Sequence, residues 1–174
     1  ANAYLLTGVR GVGKTTTARI IAKALNCNEV SLGNSEFQEP CCKCDNCIAI
    51  SESRSIDVLE MDAASRTGIN DIRELIDGVQ YAPVSSSFKV YIIDEVHMLS
   101  NAAFNGLLKT LEEPPEHVKF IFATTEVRKI PATILSRCQR YDLKRIEPNV
   151  LSDFFKGICD KEGVPIDDGA LKII

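Results

Sequence analysis

GVRGVGKT, Gly8 to Thr15, constrains the architecture more than any other stretch of the chain. It satisfies G-x-x-x-x-G-K-[ST] in full, and its setting agrees: the apolar run AYLLT precedes it and a helical pattern follows. Glycines there let the backbone curl until its N–H groups point inward at phosphate oxygens. The helix N-terminus adds partial positive charge. The expected cradle is Gly8, Gly11, Val12, Gly13, Lys14, Thr15 and Thr16. Lys14 would reach the β- and γ-phosphates, and the Thr15 hydroxyl would bind Mg²⁺. The bland alternative is a Gly-rich strand-to-helix turn with an exposed lysine.

Five apolar runs read as buried strands: Ala3–Thr7, Asp57–Met61, Lys89–Asp94, Lys119–Thr124 and Gln139–Leu143. Near-continuous apolar runs suit parallel strands covered on both faces. Between them, apolar residues recur at helical period. Ala18, Ile21, Ala22 and Leu25 form one stripe, and Ile69, Ile72, Ile76 and Val79 another. Phe104, Leu107, Leu108 and Leu111 form a third, capped by Ser100 and stopped before Pro114-Pro115. The alternation predicts an α/β fold: an open, parallel five-stranded sheet flanked by helices.

The pattern changes after Ile146. Leu151, Phe154, Phe155 and Ile158 form a helical stripe with no strand following, and Gly163-Val164-Pro165 then interrupts the chain. DDGALKII begins another helix that stops early, which reads as a cut end. The expected division is residues 1–146 as a nucleotide-binding domain, with a cysteine-rich insert at 27–50, and 147–174 as the start of a small helical domain.

Composition narrows the setting. The 174 residues carry a net charge of −4, so nucleic-acid contact would come from local clusters rather than the global field. No apolar run is long enough to span a bilayer. The N-terminus runs straight into the glycine loop with no signal peptide, so a reducing cytoplasm is expected.

VYIIDE places Asp94 and Glu95 at the C-terminal end of a strand, the edge where open α/β sheets bind ligands. Asp94 would hold Mg²⁺ through water, and Glu95 would act as base or water-positioning group for attack on a γ-phosphate. Thr124 and Thr125 end a further strand, where a hydroxyl would sit beside the attacking water, although Thr-Thr at a strand end can be mere capping. An intact loop and an acidic pair together predict hydrolysis of a nucleoside triphosphate, and argue against a subunit that binds without turnover.

GVRGVGKTT, IIDEVHMLS, NGLLKTLEEPPEHVKFIFATT and ILSRC together resemble the AAA+ clamp-loader ATPases, over nearly the whole chain. Other AAA+ remodellers fit less well, because of the cysteine insert and the SRC element. The resemblance implies a cytoplasmic, DNA-dependent ATPase that places a sliding clamp on primed DNA within a pentameric assembly of clamp-loader subunits. It implies ATP and Mg²⁺ as ligands and a small helical lid after the nucleotide-binding domain. It further implies that Arg137, in Ser136-Arg137-Cys138, acts in trans on ATP held by a neighbouring subunit. Thr125 matches the family's sensor residue, with Thr124 next. Contacts to the DNA backbone would fall on Arg66, Thr67, Arg73, Lys109 and Lys129. Gly68 departs from the basic residue that such a turn can carry.

EPCCKCDNC, Glu39 to Cys47, holds four of the chain's seven cysteines. Cys41, Cys44 and Cys47 have the C-x-x-C-x-x-C spacing of tight thiolate turns, and Cys27 at the end of the first helix is the best fourth ligand, a choice that also matches the family. Four thiolates suit a closed, structural Zn²⁺ site. An iron–sulfur cluster shares the spacing, but the fourth cysteine and proline of that pattern do not follow. A disulfide is disfavoured in a reducing compartment, and a redox motif lacks a thioredoxin-like context. Cys42 reads as a bystander, and Cys138 and Cys159 as small buried apolar residues.

Overall fold

The computed structural model describes residues 2–30, 39–65, 69–165, 167 and 169. The chain divides into two compact units, Ala1–Leu143 and Lys144–Ile174. The first unit is a sheet of five strands: β1 (Ala3–Thr7), β2 (Val58–Asp62), β3 (Lys89–Asp94), β4 (Val118–Thr124) and β5 (Gln139–Asp142). Their order is β2-β3-β4-β1-β5, and every pairing is parallel. The helices of this unit are α1 (Lys14–Asn26), α2 (Asp45–Ser51), α3 (Ile69–Val79), α4 (Asn101–Glu112) and α5 (Ala132–Leu135).

Alternation along the central strands divides the core in two. Leu5, Tyr91, Ile93, Phe120 and Phe122 face one side and pack with Ile72, Val79, Phe104, Leu107 and Ile134. Leu6, Val90, Ile92 and Ile121 face the other and pack with Ala18 and Ala22 of α1 and Ile50 of α2. Phe120 and Phe122 are completely buried, each contributing about 1.5–3 kcal/mol by transfer from water. The Ser100 side chain accepts from Ala103 N at 3.2 Å and caps α4 as expected.

Strands covered on both faces are found at β1, β3 and β4 but not at the edges. Every residue of β5 is exposed, and β2 buries only Met61. Glu60 and Asp62 in β2 and Arg140 and Asp142 in β5 need water or a partner, so these strands cannot sit in the core. Arg19 of α1 meets Glu60 through two hydrogen bonds, at 2.8 and 2.7 Å. The cysteine expectation also needs adjustment: Cys138 is only partly buried against the core, and Cys159 is partly exposed.

The second unit holds α6 (Pro148–Glu162), begun by Pro148 at its first turn and ended by Gly163 at φ 67°. Its apolar stripe leaves Phe154 and Ile158 exposed. Most of DDGALKII lies outside the described residues.

Register sets the site. Thr7 pairs with Thr124 and Asp62 with Asp94, so the C-terminal ends of β1, β2, β3 and β4 share one sheet edge. Gly8, Asp94-Glu95 and Thr124-Thr125 all follow from that edge.

Candidate functional site

The loop after β1 requires glycine at its first position. A Cβ on Gly8 would lie 2.7 Å from the Leu143 carbonyl oxygen and 2.9 Å from Val12 Cγ1. Gly13, at φ 94°, precedes α1 without a side-chain cap, leaving the first N–H groups of the helix free of protein side chains among the described residues. Lys14 is buried, and its ammonium donates to the carbonyls of Gly8 and Val9 at 3.0 and 3.1 Å. It is therefore held inside the loop rather than projecting into solvent.

Beside the loop opens a cleft of about 950 Å³. Gly11, Gly13, Lys14, Thr15 and Thr16 line it from the loop and α1, Asp94 and Glu95 from the end of β3, and Thr125 from the end of β4. Gly8 and Val12 are not part of this lining. The Thr15 hydroxyl donates to Asp94 Oδ2 at 2.5 Å, which brings the two expected Mg²⁺ ligands together.

Glu95 adopts φ 45°, a left-handed conformation that costs a non-glycine residue free energy and persists where its surroundings fix it. Its own N–H donates to Asp94 Oδ1 at 2.8 Å. Its carboxylate accepts from Thr125 N at 3.2 Å and from Thr125 Oγ1 at 3.0 Å. Thr125, not the fully buried Thr124, is thus the threonine that touches Glu95.

Sequence reasoning missed His97, Asp62, Met98 and Arg10 on the cleft wall. For His97 the available signal was a histidine two residues after an acidic pair at a strand end. It sits in a 3-10 turn, Val96–Met98, and its Nδ1 lies 2.9 Å from Thr124 Oγ1.

Arg137 lies outside the cleft. Its guanidinium is paired with Glu112 and donates to Thr133 O at 2.6 Å. Arg73 and Lys109 are exposed on α3 and α4, which pack together. Lys129 is engaged with Glu126 at 2.8 Å. Arg66 and Thr67, like Gly68, lie outside the described residues.

The Sγ atoms of Cys27, Cys41, Cys44 and Cys47 all lie within 4.8 Å of one another. A tetrahedron with Zn–S bonds of about 2.3 Å has edges of about 3.8 Å, so this cluster has nearly the size that a metal needs. Backbone N–H groups point at the sulfurs: Cys41 N at Cys27 Sγ, 3.4 Å, and Cys44 N at Cys41 Sγ, 3.3 Å. Burial alone would raise the thiols of Cys27, Cys44 and Cys47. At Cys44 it is outweighed by N–H and thiol donors, which bring the group down to about 6. At Cys47 burial and the neighbouring sulfurs push it up to about 12. Thiols lowered at Cys27 and Cys44 beside a raised Cys47, within one small cluster, suit a metal-binding set, whose ligands give up protons on binding. Cys42, exposed and at φ 56°, stands outside it.

α2 carries Cys47, with Cys44 at its N-cap, and is tied to the end of α1 and to the segment before β3. Asn46 donates to Asn26 O at 2.9 Å and to Ser85 O at 3.4 Å. The Asn26 amide in turn accepts from Phe88 N at 2.8 Å and donates to Phe88 O at 3.0 Å, just ahead of β3.

A sequence-family model described as DNA polymerase III, delta subunit, matches residues 1–147. The chain is 53% identical over 170 residues to the DNA polymerase III subunit tau/gamma of Haemophilus influenzae, covering 98% of this chain and 24% of that one. It is 51% identical over 174 residues to the tau subunit of Bacillus subtilis, covering 100% of this chain and 30% of that one. It is 53% identical over 173 residues to the gamma subunit of Buchnera aphidicola subsp. Schizaphis graminum, covering 99% and 46%. The chain therefore spans between a quarter and just under half of these relatives' length. Among solved structures, a DNA polymerase III gamma subunit-related protein of Thermotoga maritima superposes with a TM-score of 0.57 at 23% identity, covering 89% of this chain and 44% of that one. The RuvB Holliday junction branch migration motor of the same organism gives 0.60 at 19% identity, covering 98% and 47%. At these identities the two structures show the fold alone, a parallel five-stranded sheet flanked by helices. No helix among the described residues is long and apolar enough to cross a membrane.

Proposed function

Because this chain belongs to the DNA polymerase III subunit family, with tau and gamma subunits as its curated relatives, we propose that it is the nucleotide-binding end of a clamp-loader ATPase. ATP binding would assemble the motor on a sliding clamp and primed DNA, and hydrolysis would release the clamp onto the DNA. The observation that carries this reading is the convergence of Lys14, Thr15, Asp94, Glu95 and Thr125 on one cleft.

Each side chain then has a role. Lys14 leaves its loop carbonyls to neutralise charge on the outer phosphates, which requires exchanging two hydrogen bonds for ionic ones. Thr15 and Asp94 would hold Mg²⁺, which when bound neutralises charge on the phosphate oxygens. Glu95 accepts a proton from the attacking water, and Thr125 sets the direction of its carboxylate. Gly8, Gly11, Val12, Gly13 and Thr16 shape the cradle. Arg137 would leave Glu112 to reach ATP on a neighbouring subunit. Arg66, Thr67, Arg73, Lys109 and Lys129 are proposed as sequence-independent contacts to the DNA backbone.

Residues 1–146 are the proposed nucleotide-binding domain and 147–174 the start of its lid. Cys27, Cys41, Cys44 and Cys47 would hold a structural Zn²⁺ with no open position, so the metal would fix the 27–50 insert and take no part in hydrolysis. The assembly would be a cytoplasmic pentamer.

The test is ATP turnover by the full-length protein in its assembled complex, with and without clamp and primed DNA. Turnover stimulated by both, and lost together with ATP binding in Lys14→Ala, is the expected result. Unchanged turnover by Lys14→Ala, or none by the wild type, contradicts the reading.

A further inference from the structure

We infer that His97 is a positioning residue for hydrolysis, holding Glu95 and the Thr124–Thr125 turn in one geometry; the inference rests on Glu95 being the base proposed above. The His97 side chain is only 6% exposed, yet it lies among polar groups from two strand ends. Nδ1 is 2.9 Å from Thr124 Oγ1 and 3.3 Å from Glu95 Oε2, while Nε2 is 3.5 Å from Glu126 Oε1. Thr124 Oγ1 also accepts from Glu126 N at 3.0 Å, so the same hydroxyl shapes the turn that presents Thr125. Thr125 then donates twice to Glu95 Oε2, the oxygen that Nδ1 faces. These contacts close a ring: Glu95, Thr125, Thr124, His97 and back to Glu95.

Charge assigns the proton within the ring. A lone pair on Nδ1 would face an acceptor-only carboxylate at 3.3 Å, which is repulsive. With the proton on Nδ1 the imidazole donates toward Thr124 and opposes a positive edge to Glu95. Glu126 on the Nε2 side has Lys129 at 2.8 Å to balance it, so it does not require the proton. The backbone of Glu95, at φ 45°, has no intrinsic preference for this geometry and depends on such contacts. Loss of His97 should therefore misplace the carboxylate while leaving the phosphate loop, on another strand, as it was.

Asparagine and glutamine separate the two ring nitrogens. An Asn amide reaches roughly the Nδ1 position and can donate to Thr124 and Glu95; a Gln amide reaches roughly the Nε2 position and cannot. In the full-length assembled complex, His97→Ala and His97→Gln should lower kcat about 10- to 100-fold with KM and ATP affinity nearly unchanged. His97→Asn should recover most of that loss. In a Glu95→Gln background His97→Ala should cost nothing further. Wild-type kcat in His97→Gln, or equal losses in Asn and Gln variants with ATP binding lost as well, overturns the inference while leaving Glu95 in its role. Normal turnover by Glu95→Gln alone overturns the parent reading and this one with it. Because the Asn and Gln variants keep the side chain's polarity, the comparison stands even where His97→Ala does not fold.

Discussion

The Thr15 hydroxyl and the Asp94 carboxylate meet at 2.5 Å, joining the first turn of α1 to the end of β3. A donor on the phosphate loop and an acidic strand end, 79 positions apart, thereby face one point in the cleft. Thr15→Val keeps the shape and removes the oxygen. Nucleotide binding in the presence of Mg²⁺ should weaken about tenfold or more, whereas binding in excess chelator should be equal in variant and wild type. Thr15→Ser should restore the Mg²⁺ dependence. Titration of the full-length protein with nucleotide in both conditions checks this, and an equal loss with and without Mg²⁺ would remove Thr15 from the ion.

The cysteine cluster predicts a stoichiometry. Purified full-length protein should carry about one zinc per chain. Cys27→Ser should lose it and Cys42→Ser should keep it, by elemental analysis. Chelation should lower the melting temperature, because α2 is tied through Asn46 and Asn26 to the segment before β3. Zinc retained by Cys27→Ser, or lost by Cys42→Ser, would redraw the ligand set.

Asp57 gives a pH-dependent stability. Burial alone would raise its carboxyl, but the N–H groups of Val84, Ser85 and Ser86 and the Ser85 hydroxyl outweigh that and hold it below the usual carboxylate range. A folded-state value below the unfolded one contributes stability that is complete above about pH 4 and is lost as pH falls through the lowered value. Asp57→Asn should cost about 2 kcal/mol at pH 7, and the difference should shrink on acidification below about pH 4. Urea unfolding across that range measures it; a difference constant with pH would mean that Asp57 acts by shape alone.

Much of this was legible because it is local. A glycine loop, an Asp-Glu pair at the end of VYIID and a C-x-x-C-x-x-C run are short patterns whose chemistry follows from spacing, and the central strands are apolar because both their faces are covered. The edge strands were overread as buried: DVLEM and QRYDL contain apolar residues, but their charged neighbours show that neither is covered on both sides. Helix α2 was missed because a seven-residue helix with two of the cluster's residues at or beside its first turn has too few turns to display a period. His97 was missed because its partners come from two strand ends, Glu95 after β3 and Thr124 and Glu126 at the end of β4, and only the parallel register of β3 beside β4 assembles them. The pairing of Arg137 with Glu112 is likewise tertiary: the two are 25 residues apart and join α4 to the turn after α5.

The decisive measurement is rapid-quench analysis of ATP cleavage by Glu95→Gln in the full-length assembled complex, with ATP retention followed in parallel. If Glu95 activates the water, the variant should bind ATP as the wild type does and hold it uncleaved, with the cleavage rate down by about 100-fold or more in the presence of clamp and primed DNA. Cleavage at the wild-type rate would contradict the assignment of this cleft as a hydrolytic centre built on Glu95.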